Sequence, residues 1–243
     1  WAKEFMSHLI FVYGTLKQGF RNHRINEGER LPGVFHTLAA LPLYVIGPNH
    51  AGYYPDAKLM LLKLLYAPAS GRLLGAQAVG QDGVDKRLDV LATAIQGEMT
   101  VEDLEHLDLC YAPPFGSAKD VAVMAGFVAA NAWRGTSPGA SPLTVLAEMS
   151  GERPPFLVDV RTRREFEEGC LKSAVNIPLD EFRDRLAEIP ADRPVVLQCG
   201  TGYRSYVAQQ ILLNDGWTDV RNLYGGYGLA KRICSMVSGK PPH

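Results

Sequence analysis

The sequence predicts an α/β protein, with a parallel sheet covered by helices on both faces in its C-terminal part and a smaller α+β region before it. Three observations lead there. After residue 150, short apolar runs alternate with longer runs that are polar or carry one apolar face. One of them, "PVVLQC" (194–199), reads as the kind of strand that lies in the middle of a parallel sheet, buried on both sides. Finally, the stretch "RGTSPGASP" (134–142) breaks the composition with glycine, proline and hydroxyl residues, which marks a linker between two regions.

Before the linker, "RLLGAQAVG" (72–80) reads as a strand. "VDKRLDVLATAIQG" (84–97) sets Val84, Leu88, Leu91, Ala92 and Ile95 at helical spacing and closes on Gly97. Thr100 with Asp103 three residues on has the spacing of a capping box, so another helix starts there. After the linker, "FLVDVR" (156–161) is a buried strand, "TRREFEEG" (162–169) a short polar helix and "SAVNIPL" (173–179) a second strand. "LDEFRDRLAEI" (179–189) then predicts a helix with Leu179, Phe182, Leu186 and Ile189 on one face. Strand "PVVLQC", helix "SYVAQQILLNDG" (205–216) and strand "DVRNLYGG" (219–226) continue the alternation.

Composition narrows the function. The 243 residues carry 25 basic and 26 acidic side chains, a formal charge of −1, so no global field selects nucleic acid or an anionic membrane. The longest apolar stretches, such as "LMLLKLLYA" (59–67), which a lysine interrupts, are far shorter than a membrane span. With no secretion signal recognisable at the N-terminus, the chain reads as cytoplasmic, and its four cysteines (110, 170, 199 and 234) as free thiols. No metal-ligand spacing is present among them.

The segment "VVLQCGTGYRSYVAQQILL" (195–213) concentrates the chemistry. Cys199 stands where an apolar strand ends, the position at which parallel α/β sheets hold their ligands. Gly200 and Gly202 permit the curvature that turns successive amides inward, and the following helix aims its N-terminal dipole at the same point, which favours a thiolate at Cys199. Arg204 adds a forked positive donor. Two readings compete: a packed, inert cysteine, and an anion cradle built around a nucleophile.

The order D-V-R, N-I-P-L, C-x-x-x-x-R-S and L-x-G-G over residues 155–240 resembles the rhodaneses. The resemblance implies that Cys199 attacks a sulfane sulfur, holds it as a persulfide and passes it from a small sulfur donor to a thiol or cyanide. Arg204 and the amides of Gly200, Thr201, Gly202, Tyr203 and Ser205 would bind the anion, with Asp159 and Arg161 as structural charges near the loop. Cysteine phosphatases of similar architecture use a loop one residue longer and carry histidine where Gln198 stands. In the family's G-H-I-x-G-A segment this chain has "EGCLKSA", with Cys170 in the histidine's place.

Residues 50–135, above all "YAPPFGSAKD", resemble the dimerisation domain of pyridine nucleotide-disulfide oxidoreductases of the coenzyme A disulfide reductase and NADH oxidase group. That implies a homodimer, with Tyr53, Tyr54 and Tyr111 as candidates to reach a partner's coenzyme A site. "AKDVAVMAGF" places Val121 and Val123 where that group has proline and asparagine. No G-x-G-x-x-G turn is present for FAD or NAD(P)H, so no cofactor is expected. Residues 6–49, with "VYGTLKQG", resemble the start of a γ-glutamylcyclotransferase-like domain, in which Tyr13, Gly14, Thr15 and Leu16 would hold a substrate.

The expected organisation is therefore a truncated cyclotransferase-like segment (6–49), a dimerisation-like segment (50–135), a linker (136–150) and a rhodanese-like domain (151–240). The favoured function is sulfur transfer through Cys199. The alternatives are a non-catalytic C-terminal fragment of a coenzyme A disulfide reductase-like flavoprotein serving as a dimerisation module, and a cyclotransferase-like enzyme.

Overall fold

The computed structural model describes residues 11–14, 43–46, 60–80, 83–111 and 119–238. The chain forms two compact units, divided between Trp133 and Arg134.

The N-terminal unit is an antiparallel sheet with helices. Strands β1 (Phe11–Gly14), β2 (Leu43–Ile46), β3 (Met60–Tyr66) and β4 (Leu73–Gly80) pair in the order β1-β4-β3-β2. The β3–β4 hairpin turns at Gly71, whose φ of +68° suits glycine. Helix α1 (Val84–Gln96) buries the expected face, with Leu91 fully removed from solvent and Gly97 as its C-cap. Burying one such leucine stabilises by about 2 kcal/mol. Helix α2 (Val101–Glu105) starts from the predicted capping box: Thr100 Oγ1 accepts from Asp103 N–H at 3.1 Å, and Asp103 Oδ2 accepts from Thr100 N–H at 2.8 Å. Helix α3 (Val121–Arg134) crosses α2 at Gly126, where a methyl group would come within 2.6 Å of the Glu105 backbone nitrogen. Val121 occupies the first helical position, where no intrahelical N–H bond is made, so it replaces proline without changing the backbone pairing.

The C-terminal unit is the predicted parallel sheet. Strands β5 (Gly139–Ala140), β6 (Phe156–Asp159), β7 (Val175–Asn176), β8 (Val195–Gln198) and β9 (Val220–Leu223) run in the order β5-β9-β8-β6-β7, all parallel. Successive side chains alternate between two cores. On one face Val158, Val195 and Leu197 pack with Phe182 of a 3-10 helix (Leu179–Glu188) and with Ala208 and Leu212 of helix α6 (Tyr203–Asn214). On the other, Leu157, Val196 and Leu223 pack with Val145 of helix α4 (Pro142–Glu148) and Ala230 of helix α7 (Gly226–Ser238). Every residue of β8 is buried, as its apolar run predicts.

Three expectations change. Residues 136–150 are not a linker: they supply edge strand β5 and helix α4, which starts with Ser141 accepting from Thr144 N–H at 3.1 Å and with Pro142 in its first turn. The small residues that suggested flexibility serve close packing, since a side chain at Gly139 would overlap the Tyr224 ring. Residues 6–49 do not stand apart from 50–135, because β1 and β2 fill the two outer positions of one sheet with β3 and β4. Finally, "LDEFRDRLAEI" is a 3-10 helix broken at Arg185, and only Phe182 and Ile189 of its predicted face are fully buried. Arg185 bonds both Glu181 and Glu188, so side-chain pairing replaces regular helical packing there.

Candidate functional site

Cys199 directly follows β8 and is 1% exposed. The loop behind it closes on itself. Gly202 N–H donates to Cys199 Sγ at 3.1 Å, and the Ser205 hydroxyl lies 3.5 Å from the same sulfur. Gly202 takes φ +124° and caps α6, so the helix directs its positive end at the sulfur. Of the two loop glycines only Gly202 uses the left-handed region.

The segment after β9 braces the loop from behind. Tyr227 N–H donates to Cys199 O at 2.7 Å and Gly228 N–H to Gly200 O at 3.2 Å. Asn222, on β9, donates through Nδ2 to Gly202 O at 3.0 Å and lies 2.7 Å from Ser205 Oγ through Oδ1. Asparagine is disfavoured within strands, and that was the available signal for its role.

Asp159 and Arg161 form a buried ion pair, bidentate in geometry, with Arg161 Nη2 2.7 Å from Asp159 Oδ2. Gln198 donates to the same carboxylate at 2.9 Å, and the Arg161 guanidinium also bonds Gly169 O and lies 4.1 Å over the Tyr227 ring. Both charges are satisfied within the core, and the Asp159 carboxylate ties β6 to the end of β8.

Arg204 differs from the expected free anion donor. Both of its terminal nitrogens lie 2.7 Å from the oxygens of Glu165, on helix α5 (Arg163–Glu167). Glu165 is in turn held by Thr162, whose N–H and hydroxyl donate to Oε2 at 3.1 and 3.0 Å. The Arg204 hydrogen bonds, together with those from Thr162, pull the Glu165 carboxyl down from 4.5 to about 2 despite its partial burial. A depressed acid stabilises the fold above its unfolded pKa, and that contribution drains away as pH falls from about 4.5 through about 2. Glu165→Gln should flatten the acid limb of a stability–pH profile in that window, by about 1 kcal/mol because the pair is one-third exposed. An unchanged limb would show that the pair contributes nothing.

Cys199, Gly200, Thr201 and Gly202 thus form the loop and Tyr203, Arg204 and Ser205 the first turn of α6, with Tyr203 exposed. Cys170 is an exposed free thiol, Cys110 likewise, and Cys234 is half-buried. Tyr111, in the N-terminal unit, is exposed. Tyr13 and Gly14 are strand residues paired with Ala76 and Gly75, while Thr15, Leu16, Tyr53 and Tyr54 lie outside the described residues.

A cysteine-bearing loop between the central strand of a parallel sheet and the next helix defines the C-terminal α/β domain, and the families agree. Residues 142–230 match the rhodanese-like domain, and residues 40–123 match the pyridine nucleotide-disulphide oxidoreductase dimerisation domain. The chain therefore carries that dimerisation domain followed by a C-terminal rhodanese-like domain.

Among curated proteins it is similar to the coenzyme A disulfide reductase of Staphylococcus aureus (strain bovine RF122 / ET3-1), 41% identical over 80 residues, 33% of this chain and 18% of that protein. The Staphylococcus haemolyticus (strain JCSC1435) enzyme of the same name is 42% identical over 81 residues, with the same coverage of 33% and 18%. Among solved structures, reduced Bacillus anthracis CoADR-RHD superposes with a TM-score of 0.77 at 36% identity, covering 95% of this chain and 39% of that one. A NAD-dependent persulfide reductase from A. fulgidus gives 0.71 at 31% identity, covering 92% of this chain and 37% of that one. The chain thus spans under two fifths of these solved relatives.

The cyclotransferase-like reading of residues 6–49 finds no support: the dimerisation-domain match already begins at residue 40, and β1 belongs to the same sheet. Among the described residues, no helix is long and apolar enough to cross a membrane.

Proposed function

We propose that the C-terminal unit is a sulfurtransferase in which Cys199 takes up a sulfane sulfur and hands it to a thiol or to cyanide. The observation that carries this reading is the cradle around Sγ: an amide donor, a hydroxyl and a helix N-terminus converge on one buried cysteine. Donors placed this way stabilise the outer sulfur of a persulfide held on Cys199. Incubation with a sulfane donor should add the mass of one sulfur atom to the protein, and Cys199→Ser should abolish both that mass shift and transfer to cyanide. Undiminished transfer in the serine variant would refute the assignment, and Cys199-dependent hydrolysis of an aryl phosphate would favour a phosphatase instead.

A second reading concerns the N-terminal unit. The dimerisation-domain match and the likeness to CoADR-RHD support a homodimer, with the chain working as part of a coenzyme A disulfide reductase-like assembly. FAD and NAD(P)H would then belong to domains outside this sequence, and the cysteines would stay reduced in a cytoplasmic setting. Light scattering of the purified chain should give twice the monomer mass, and a strict monomer would remove this reading.

A further inference from the structure

Two guanidiniums adjoin the Cys199 loop, and each is matched by a carboxylate. Arg161 is paired with Asp159 inside the core. Arg204, in the first turn of α6 just after the loop, commits both terminal nitrogens to Glu165 at 2.7 Å. Glu165 cannot swing away freely, because the Thr162 amide and hydroxyl hold one of its oxygens. Residues Gly200 to Tyr203 add no charge, and Tyr203 offers an exposed ring beside the loop. Together these four charges cancel at this end of the sheet.

We infer that Glu165 is a specificity-determining residue, which neutralises Arg204 and so turns the Cys199 loop against inorganic dianions and toward organic sulfane donors that carry at most one negative charge. The inference rests on the sulfurtransferase reading. A dianion such as thiosulfate gains most from a free, forked cation, and here it would have to displace a carboxylate already held by two further hydrogen bonds. An alkyl persulfide needs less charge compensation. Entering as neutral R–S–SH, it brings no charge to be met; the Gly202 amide and the end of α6 face the Cys199 sulfur, and the donor's carbon chain can lie against Tyr203.

The step balances without an oxidant. The Cys199 thiolate attacks the outer sulfur of R–S–SH, the new Sγ–S bond forms as the donor S–S bond breaks, and R–S⁻ leaves with the electron pair. The proton stays on the transferred sulfur, giving Cys199–S–SH. An acceptor thiolate then attacks that outer sulfur and returns Cys199 as thiolate.

The discriminating variant is Glu165→Gln, since glutamine preserves the capping-box geometry of α5 while removing the charge. Transfer to cyanide is measured with thiosulfate and with 2-hydroxyethyl persulfide, on the full chain. Wild type should favour the persulfide. In Glu165→Gln the ratio of kcat/KM for thiosulfate over persulfide should rise about tenfold, the order expected for one additional charge-assisted hydrogen bond to the dianion. Inorganic phosphate should also begin to protect Cys199 from alkylation by iodoacetamide. Glu181→Gln serves as control, because it removes a charge from an ion pair with Arg163 and Arg185 rather than with Arg204. An unchanged ratio in Glu165→Gln, or an equal rise in Glu181→Gln, overturns the inference and leaves the sulfurtransferase reading intact. Absence of Cys199-dependent transfer from either donor overturns both.

Discussion

Replacing Asp159 with alanine should cost the C-terminal unit about 3–5 kcal/mol, because it strands the Arg161 guanidinium in the core. Asp159 is fully buried and Arg161 is 5% exposed, so water cannot take over the lost partner. The carboxylate also accepts from the Arg161 amide at 3.0 Å and from Gln198 at 2.9 Å, so the loss spreads from β6 to β8. Hydrogen exchange of the β6 and β8 amides should accelerate accordingly. The paired change Asp159→Leu with Arg161→Met should be less damaging than Asp159→Ala alone, since removing both charges leaves no orphan to desolvate. Equal protection of these amides in wild type and Asp159→Ala would show that the pair is not a keystone of the unit.

The second large effect is expected at Gly226. A methyl group there would overlap the Cys199 carbonyl oxygen and sit 2.9 Å from the Gly200 carbonyl carbon, at a backbone φ of +56° that already disfavours alanine. The loop must then move, and with it the sulfur. A displacement of about 1 Å at a reacting atom is enough to cost about 100-fold in rate, so Gly226→Ala should lose at least that much sulfur transfer while the sheet stays folded. Gly200→Ala should be far milder, because its added methyl would meet only the flexible Arg204 Nη2, at 3.6 Å. Equal losses in the two variants would mean that the brace behind the loop is not what positions Cys199.

Part of this site was legible along the chain. The strand–loop–helix order around "CGTGYRS" places Cys199 and the amide of Gly202 together because the loop is short and its two flanking elements have clear periodicities. The D-V-R pair is equally local: two residues apart on a strand end, Asp159 and Arg161 meet through neighbouring backbone. Glu165 was half-legible, since the spacing to Thr162 marks a helix cap, but its partner Arg204 lies 39 residues further on. Asn222 joins the loop only because β9 pairs beside β8.

By itself, the sequence determined the alternation of strands and helices, the parallel C-terminal sheet, the capping box at Thr100 and the place of Cys199 after the central strand, because each depends on the pattern of neighbours within a few residues. What only the tertiary structure decided depends on sheet edges and close approaches. Gly139–Ala140 is a strand because Asn222 and Leu223 present free ladder groups to it, and Phe11–Gly14 joins the N-terminal sheet because β4 has an edge to fill. Neither pairing leaves a periodic signal in segments this short. The charge state of the candidate site was decided in the same way: Arg204 reads as a free cation in the sequence, and folding places a fixed carboxylate 2.7 Å from each of its terminal nitrogens.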